Sequence, residues 1–204
     1  MKDIYAAVIE GDTDLVKSEV QKAIDEGVDP AAIINEGLIK AMDEVGAKMR
    51  SGDLFVPEVL IAAEAMKEGL LLVRPLLEGD SYTIGKVIIG TVAGDLHDIG
   101  KNLVAMLLES AGFEVIDLGV DVSADKFLAA ALEHQPQIVG LSSLLTTTMP
   151  SMRDTVKALS EKCPNVKTMV GGAPVSQEFA QEIGAGGFAP DGAAAVDLAK
   201  QLLN

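Results

Sequence analysis

A histidine surrounded by carboxylates and glycines lies in the segment Gly94–Gly100, whose sequence is Gly-Asp-Leu-His-Asp-Ile-Gly. Asp95 precedes His97 by two residues, and Asp98 follows it directly. A carboxylate that accepts the proton of one imidazole nitrogen leaves the other nitrogen available to a metal or a substrate. The segment could therefore carry a metal-ligating or catalytic histidine. The alternative is a polar turn in which Asp95 or Asp98 only caps the helix that follows, and the segment alone does not separate the two.

The sequence on either side of this segment indicates where it lies in a fold. The run Lys86–Ala93 is apolar enough for a buried strand, and residues 101–108 have the apolar spacing of an amphipathic helix. His97 is therefore expected in the loop at the carboxyl end of a strand, where open α/β sheets bind their ligands. The second histidine, His134, is expected at the exposed end of a helix, and we assign it no role.

Residues 84–204 predict an α/β domain. Strand-like runs alternate with helical patterns, and the runs lie at residues 87–92, 113–118, 138–141 and 167–170, with a weak fifth at 187–188. Strands that alternate with helices favour a parallel sheet covered on both faces, and the nearly continuous apolar character of the runs agrees with this. Five strands with this spacing predict a flavodoxin-like, doubly wound five-stranded parallel sheet.

Residues 1–83 predict an all-α domain, because apolar residues recur at helical spacing and no convincing strand is present. Gly11 and the segment Gly27–Pro30 separate the first helices, and a further helix is expected to begin near Pro57. Pro75 should kink or end that helix. The pattern predicts a bundle of three to four helices, joined to the second domain by a linker at Gly79–Thr83.

Composition excludes several classes of function. The 204 residues include 16 basic and 31 acidic side chains, for a net charge of −15. That charge disfavours nucleic-acid binding but could steer a basic partner protein. Cys163 is the one cysteine, so no internal disulfide and no cysteine-based zinc site can form. No apolar run of about 18 residues and no signal-peptide pattern is present, so we expect no membrane partner and a cytoplasmic location.

Two further blocks, Ser142-x-Leu144 and Gly171-Gly172, also follow predicted strands. With the histidine segment they give the order Asp95-x-His97-x-x-Gly100, Ser142-x-Leu144 and Gly171-Gly172. Their order and spacing resemble the cobalamin-binding fingerprint Asp-x-His-x-x-Gly, Ser-x-Leu and Gly-Gly.

The resemblance covers nearly the whole chain, because the helical first half is similar to the cap that precedes this module in methionine synthase. The chain is most similar to the small corrinoid proteins of methanol, methylamine and betaine methyltransferase systems. One departure is at residues 185–191, where Ala-Gly-Gly-Phe-Ala-Pro-Asp stands in place of the Ala-Asp-Gly-Tyr-Ala-Pro-Asp that the family often has.

The resemblance implies that the cofactor is cobalamin or a related cobamide, bound base-off and His-on. His97 would then be the metal ligand, replacing the cobamide's own base on cobalt, and Asp95 would hold the other ring nitrogen. Further residues implied to bind the cofactor, around the ring or around its nucleotide tail, are Asp98, Gly100, Ser142, Leu144, Gly171, Gly172 and Ala173. In the cap, Met49, Val56 and Val59 are implied to shield the upper face of the ring, although ordinary bundle core explains each of them equally well.

The resemblance further implies a methyl carrier with no activity alone. A substrate-specific methyltransferase would supply the methyl group from a methylamine, betaine or methanol. A second methyltransferase would pass it to tetrahydrofolate or coenzyme M, and a reductive activator would restore the cobalt. The cap would move away about a hinge at Gly79–Thr83.

The sequence disfavours three alternative functions. A corrinoid-binding sensor would normally carry a DNA-binding or signalling segment, and the sequence contains none. A carbon-skeleton mutase module would be paired with a radical barrel and would not need the cap. A nucleotide-binding Rossmann domain is disfavoured because no Gly-x-Gly-x-x-Gly follows the first predicted strand.

Overall fold

The computed structural model describes residues 1–76 and 83–203. The chain divides into two compact units, Met1–Tyr82 with Ser110–Gly112, and Thr83–Glu109 with Phe113–Asn204. The linker and hinge predicted at Gly79–Thr83 lie almost entirely outside the described residues. Within the described ranges, no helix has both the length and the apolar character that a membrane span requires.

The N-terminal unit is helical, as predicted. Its elements are α1 (Lys2–Glu10), α2 (Thr13–Asp25), α3 (Pro30–Ala32), a π-helical segment (Ile33–Ile39), α4 (Lys40–Ser51), α5 (Val56–Val73) and a 3-10 turn (Arg74–Leu76). Gly11 ends α1 in the left-handed conformation, and Asp12 caps α2 by accepting the Leu15 N–H. Pro30 occupies the first turn of α3, and α5 ends shortly before Pro75.

Helices α2 and α5 pack closely because Gly69 has no side chain. A Cβ at Gly69 would lie 2.8 Å from Cγ1 of Val16. Aliphatic side chains fill the centre of the unit, and its fully buried members include Ile4, Val8, Val20, Ile33, Leu38, Val45 and Met66.

The second unit contains a five-stranded parallel sheet. Its strands are β1 (Lys86–Thr91), β2 (Glu114–Asp117), β3 (Ile138–Ser142), β4 (Lys167–Gly171) and β5 (Gly187–Phe188). The strand order is β2-β1-β3-β4-β5, and every neighbouring pair is parallel. This is the flavodoxin-like order, and it confirms the predicted fold. Since the chain changes direction between β1 and β3, the loops after these two strands border the crevice in which such sheets bind ligands.

Helices separate the strands as expected. They are α6 (Ile99–Ser110), α7 (Ala124–His134), a 3-10 turn (Thr146–Thr148), α8 (Met149–Lys162), α9 (Gln177–Glu182) and α10 (Gly192–Leu202). Gly90 in β1 lets Phe127 pack against the strand, since a Cβ there would lie 2.7 Å from its ring. His134 is the last residue of α7 but is half-buried rather than exposed, where the left-handed Gln135 turns the chain back toward β3.

Candidate functional site

His97 lies in the loop that joins β1 to α6 and forms a hydrogen-bonded pair with Asp95. Its ring Nδ1 is 2.7 Å from Oδ1 of Asp95, and the same oxygen accepts the His97 backbone N–H at 3.1 Å. The histidine side chain is 52% exposed, whereas that of Asp95 is 0% exposed. An ionised carboxylate only accepts hydrogen bonds, so Nδ1 carries the hydrogen and Nε2 of the neutral ring presents a lone pair. The geometry therefore provides an accessible imidazole nitrogen of fixed tautomer.

The second oxygen of Asp95 is bound by the loop that follows β3. Oδ2 accepts the backbone N–H groups of Leu144 at 2.7 Å and Leu145 at 3.3 Å, and the hydroxyl of Thr148 at 3.0 Å. Burial acts to raise the pKa of Asp95, but the donors on Leu144, His97 and Thr148 outweigh it and hold that pKa well below its usual range. The carboxylate is thus ionised and joins two loops, which excludes the alternative that Asp95 only caps α6.

Thr148 and Ser143 belong to this network but were not identified from the sequence. Both are buried, and their hydroxyl oxygens lie 2.8 Å apart. Ser143 also donates to the backbone carbonyl of Leu145 at 3.1 Å. Thr148 is the last residue of the run Thr146–Thr148, and nothing in the sequence distinguishes it from its neighbours. Its inward direction is set by the 3-10 turn before α8.

The Ser142-x-Leu144 block lies beside the loop of residues 92–98 that carries His97, here called the histidine loop, as its position after a strand predicts. Ser142 is the last residue of β3 and is paired with Thr91 of β1 and Gly171 of β4. The side chain of Leu144 is exposed, while its backbone N–H is bound to Asp95. Thr91 contributes a further contact, because its buried hydroxyl donates to the His97 carbonyl at 2.8 Å.

The paired glycines allow the loop after β4 to approach the loop after β3. Gly172 has φ +121°, and a Cβ there would lie 1.9 Å from the carbonyl oxygen of Ser143. A Cβ at Gly171 would lie 3.0 Å from the carbonyl oxygen of Ala189. Ala173, the next residue, is exposed. The glycines are therefore required for close backbone packing, and a role in holding a nucleotide tail stays a prediction.

Asp98 and Gly100 lie at the start of α6. The carbonyl of Asp98 accepts the Asn102 N–H at 2.7 Å, the first hydrogen bond of the helix. Around Gly100 the space is open, since a Cβ placed there would have no described heavy atom within 4 Å apart from its chain neighbours and the nearby backbone of its own helix. Lys101 is buried and its ammonium donates to Asp117 at the end of β2, which fixes the first turn of α6 against the sheet.

The three cap residues occupy different environments within the N-terminal unit. Met49, near the end of α4, and Val56, the first residue of α5, are half-buried, whereas Val59 is 2% exposed in the core of the unit. The turn between the two helices is fixed by the hydrogen bond from Phe55 N to Glu58 Oε2 at 2.7 Å. Val59 thus fits the bundle-core alternative, and a shielding role for the three residues stays a prediction.

The arrangement matches a known family in both units. Residues 85–199 match the model of the B12 binding domain, and residues 1–74 match a second model that has the same description. The chain belongs to the B12-binding domain family. Both matching models describe a B12 binding domain, and a cobamide is therefore the cofactor of this chain.

Similar proteins are found among corrinoid proteins. A corrinoid protein of Desulfitobacterium hafniense is 42% identical over 100% of this chain and 97% of its own length. The dimethylamine corrinoid protein 1 of Methanosarcina acetivorans is 44% identical over 100% of this chain and 97% of its own length. The crystal structure of the methanol:cobalamin methyltransferase complex of Methanosarcina barkeri contains a chain with a TM-score of 0.89 and 33% identity, covering 98% of this chain and 78% of that one.

The residues around His97 fit a metal that is held in a macrocycle. Among residues 1–76 and 83–203, no group of three or more His, Cys, Asp or Glu side chains could hold a free metal ion. A single imidazole suits a metal whose other positions are filled by its own ring. Four large aliphatic side chains near His97 in the chain or in the loop after β3 are exposed. They are Leu96 (72%) in the loop after β1, Ile99 (85%) at the start of α6, and Leu144 (43%) and Leu145 (40%) in the loop after β3. Exposed apolar residues grouped in this way are typical of a surface that binds a ligand or a partner, and they are consistent with contact to a macrocycle.

Thr148→Val is expected to lower the free energy of unfolding of the apoprotein by about 1.5–3 kcal/mol at pH 7, because it removes a buried donor to a charged carboxylate. The folded-state pKa of Asp95 is depressed, so its stabilisation is complete above the ordinary value of 3.8 and is lost as the pH falls through the folded value. The titration of Asp95 in the unfolded state is common to both proteins and cancels from their difference, so the difference between variant and wild type should persist at pH 3, which lies above the folded-state pKa, while the free energy of unfolding of each protein falls. Urea unfolding followed by circular dichroism at pH 7 and pH 3 measures it. Thr148→Ser, which keeps the hydroxyl, should retain most of the stability, and an equal loss in both variants would contradict the hydrogen-bond explanation.

Proposed function

We propose that the chain is the methyl-carrying corrinoid subunit of a methyltransferase system. When bound, the cobamide supplies a cobalt centre that can accept and donate a methyl group, and the protein supplies ligation, orientation and exclusion of water. The observation that carries the proposal is the buried Asp95 carboxylate, which holds Nδ1 of the exposed His97 at 2.7 Å in a B12-binding fold. The similarity to a dimethylamine corrinoid protein and to a methanol:cobalamin methyltransferase complex supports the methyl-transfer role.

In this proposal, His97 ligates cobalt through Nε2 and replaces the cobamide's own base, so that binding is base-off and His-on. Asp95 keeps the proton on Nδ1 and fixes the orientation of the ring. Leu144 and Thr148 keep Asp95 ionised and attached to the loop after β3. The residues proposed to contact the ring or its nucleotide tail are Asp98, Gly100, Ser142, Leu144, Gly171, Gly172 and Ala173.

The two units are proposed to have different roles, one in binding the cobamide and the other in shielding it. Residues 84–204 would form the cobamide-binding domain, and residues 1–83 would form a cap whose Met49, Val56 and Val59 shield the bound cofactor from water. Apolar side chains would suit this role because they would exclude water from a bound cobamide and offer it neither a competing ligand nor a proton donor.

The proposed partners are supported by the similarity to a dimethylamine corrinoid protein and to a chain of a methanol:cobalamin methyltransferase complex. We propose that a partner methyltransferase activates the donor, which is a methylamine, betaine or methanol. A second methyltransferase then delivers the methyl group to tetrahydrofolate or coenzyme M, and a reductive activator restores oxidised cobalt. We propose that these exchanges occur in the cytoplasm.

The reconstituted protein is expected to demethylate none of these donors alone and to do so only with its methyltransferase. Methylamines, betaine and methanol are each incubated with the cobalt(I) protein, with and without a methyltransferase specific for that donor, and methylation is followed by absorbance in a stopped-flow instrument. Free cobalt(I) cobamide is the control for uncatalysed methylation. Rapid demethylation of any donor by the chain alone would overturn the carrier proposal.

The salt dependence of the same reaction tests whether the net charge of −15 steers a basic partner. Electrostatic steering accelerates association by about 10–1,000-fold at low salt and is screened as the Debye length falls from about 30 Å at 0.01 M to about 8 Å at 0.15 M. The association rate should therefore fall at least about tenfold over that range. A partner-dependent rate that does not change with salt would remove the steering claim and leave the carrier function intact.

A further inference from the structure

We propose that Asp121 is a positioning residue for His97, acting through the backbone of the loop that carries the histidine. The inference rests on the proposed role of His97 as cobalt ligand. Asp121 lies between β2 and α7, and its Oδ1 accepts the backbone N–H of Gly94 at 2.7 Å. In the opposite direction, the Asp121 N–H donates to the carbonyl of Asp95 at 3.0 Å. Asp121 thus binds the N–H of Gly94 and the carbonyl of Asp95, two backbone groups at the start of the turn that leads to His97.

The backbone of Asp121 is unusual. Its φ is +52°, and among the described residues the one other non-glycine with positive φ is Gln135. Residues with a side chain avoid this left-handed region, although aspartate and asparagine tolerate it better than most. Gly119, two residues earlier, also has positive φ, but there the residue is a glycine. An aspartate held in a conformation that suits glycine indicates that its carboxylate is needed at Gly94.

The segment that carries Asp121 is itself fixed to the end of β1. The Thr91 N–H donates to the Gly119 carbonyl at 3.0 Å, and the Val122 N–H donates to the Thr91 carbonyl at 3.0 Å. The backbone on both sides of Asp121 is therefore hydrogen-bonded to the end of β1. A displacement of this backbone away from β1 would have to break at least one of the two bonds.

The histidine loop is consequently held from two sides. The carboxylate of Asp95 attaches it to the loop after β3, and Asp121 attaches the backbone at Gly94 and Asp95 to the segment after β2. The first attachment fixes the tautomer of His97, and the second fixes the path of the chain that carries the ring. A ligand must be aligned within a fraction of an ångström to bind a metal fully, so loss of the second attachment should weaken the His97 bond to cobalt without removing the Asp95–His97 pair.

If Asp121 only formed a turn and did not position His97, Asp121→Gly would have no effect on the loop that carries His97. Glycine removes the carboxylate but suits the positive φ, so the free energy of unfolding should be unchanged or higher. Under our proposal the same variant nevertheless loosens the loop. Asp121→Asn is the matched variant, because its amide oxygen can still accept the Gly94 N–H and asparagine tolerates the left-handed region.

Two measurements test the proposal. In the apoprotein, hydrogen exchange at the Gly94 amide should be about fivefold faster in Asp121→Gly than in wild type, the effect of losing one ordinary hydrogen bond. In the cobalt(II) holoprotein, electron-spin spectroscopy should show the ratio of His-bound to His-free cobalt reduced by about fivefold. Because cobalt(I) prefers no axial base, the cobalt(II)/cobalt(I) potential should rise by about 40 mV, that fivefold change converted for one electron. Asp121→Asn should resemble wild type in all three measurements.

The outcomes separate this inference from the assignment of the ligand. If His97→Ala abolishes the nitrogen coupling but Asp121→Gly leaves the ratio unchanged, the positioning role is wrong and the ligand assignment stands. Unchanged exchange at Gly94 also overturns the positioning role, without reference to the cobamide. If His97→Ala itself leaves the coupling unchanged, the ligand assignment fails and this inference fails with it.

Discussion

His97→Ala is expected to abolish the protein-derived nitrogen coupling in the cobalt(II) electron-spin signal while the cobamide remains bound. In the proposed site the coupling comes from Nε2 of His97, whose ring is 52% exposed and is oriented by Asp95 through Nδ1. An alanine has no nitrogen to offer. The cobamide should be retained because most of its surface would contact the sheet edge and its loops rather than the histidine. Reconstitution with a cobamide, gel filtration and spectroscopy of the cobalt(II) form measure both properties.

His134→Ala provides the matched control for this prediction. It removes the second histidine of the chain, which lies at the end of α7, away from the carboxyl ends of the strands. Its spectrum should equal that of wild type, with the nitrogen coupling intact. Persistence of the coupling in His97→Ala together with its loss in His134→Ala would show that the ligand was assigned to the wrong histidine.

The Asp95–His97 pair could be predicted from the sequence because its two residues are two positions apart and lie in one loop. The residues that hold the pair could not. Thr148 and Asp121 come from loops that are far away in the sequence, and the Leu144 and Leu145 contacts use backbone N–H groups that any residue possesses. Side-chain identity carries no information about the backbone contacts, and sequence spacing carries none about the side-chain contacts. Only the three-dimensional arrangement of the strands reveals both.

The fold was predictable where burial imposes a pattern on the sequence. Parallel strands buried on both faces are nearly continuous apolar runs, and β1, β3 and β4 were identified on that basis. The π-helical segment Ile33–Ile39 was not predicted, because seven residues are too few to distinguish its period from that of an α-helix. Similarly, Gly171 and Gly172 indicated a need for small residues, but the sequence does not say whether a ligand or the protein's own backbone takes the space.

Gly172→Ala tests whether the protein's own backbone takes the space beside this glycine. We expect the variant to lower the free energy of unfolding by about 3–5 kcal/mol and to lose cobamide binding. The added Cβ would lie 1.9 Å from the carbonyl oxygen of Ser143 and 2.8 Å from its carbonyl carbon. These are backbone atoms, so no side-chain rotation can relieve the overlap. Ser143 is also fixed in place, because its N–H donates to the Gly171 carbonyl at 3.1 Å and its hydroxyl lies 2.8 Å from that of Thr148.

Gly184→Ala separates the overlap at Gly172 from the cost of a positive φ. Gly184 has φ +74°, but a Cβ placed there would have no described heavy atom within 4 Å apart from its chain neighbours. Its alanine variant should therefore lose only about 1 kcal/mol, the conformational preference of glycine for this region. Urea unfolding of both apoproteins and titration with a cobamide give the comparison. Because the overlap would displace Ser143, and with it the adjacent Leu144 N–H that binds Asp95, Gly172→Ala should also weaken the attachment of the His97 loop. A loss of about 1 kcal/mol in both variants, with normal cobamide binding, would contradict the requirement for close backbone contact at Gly172.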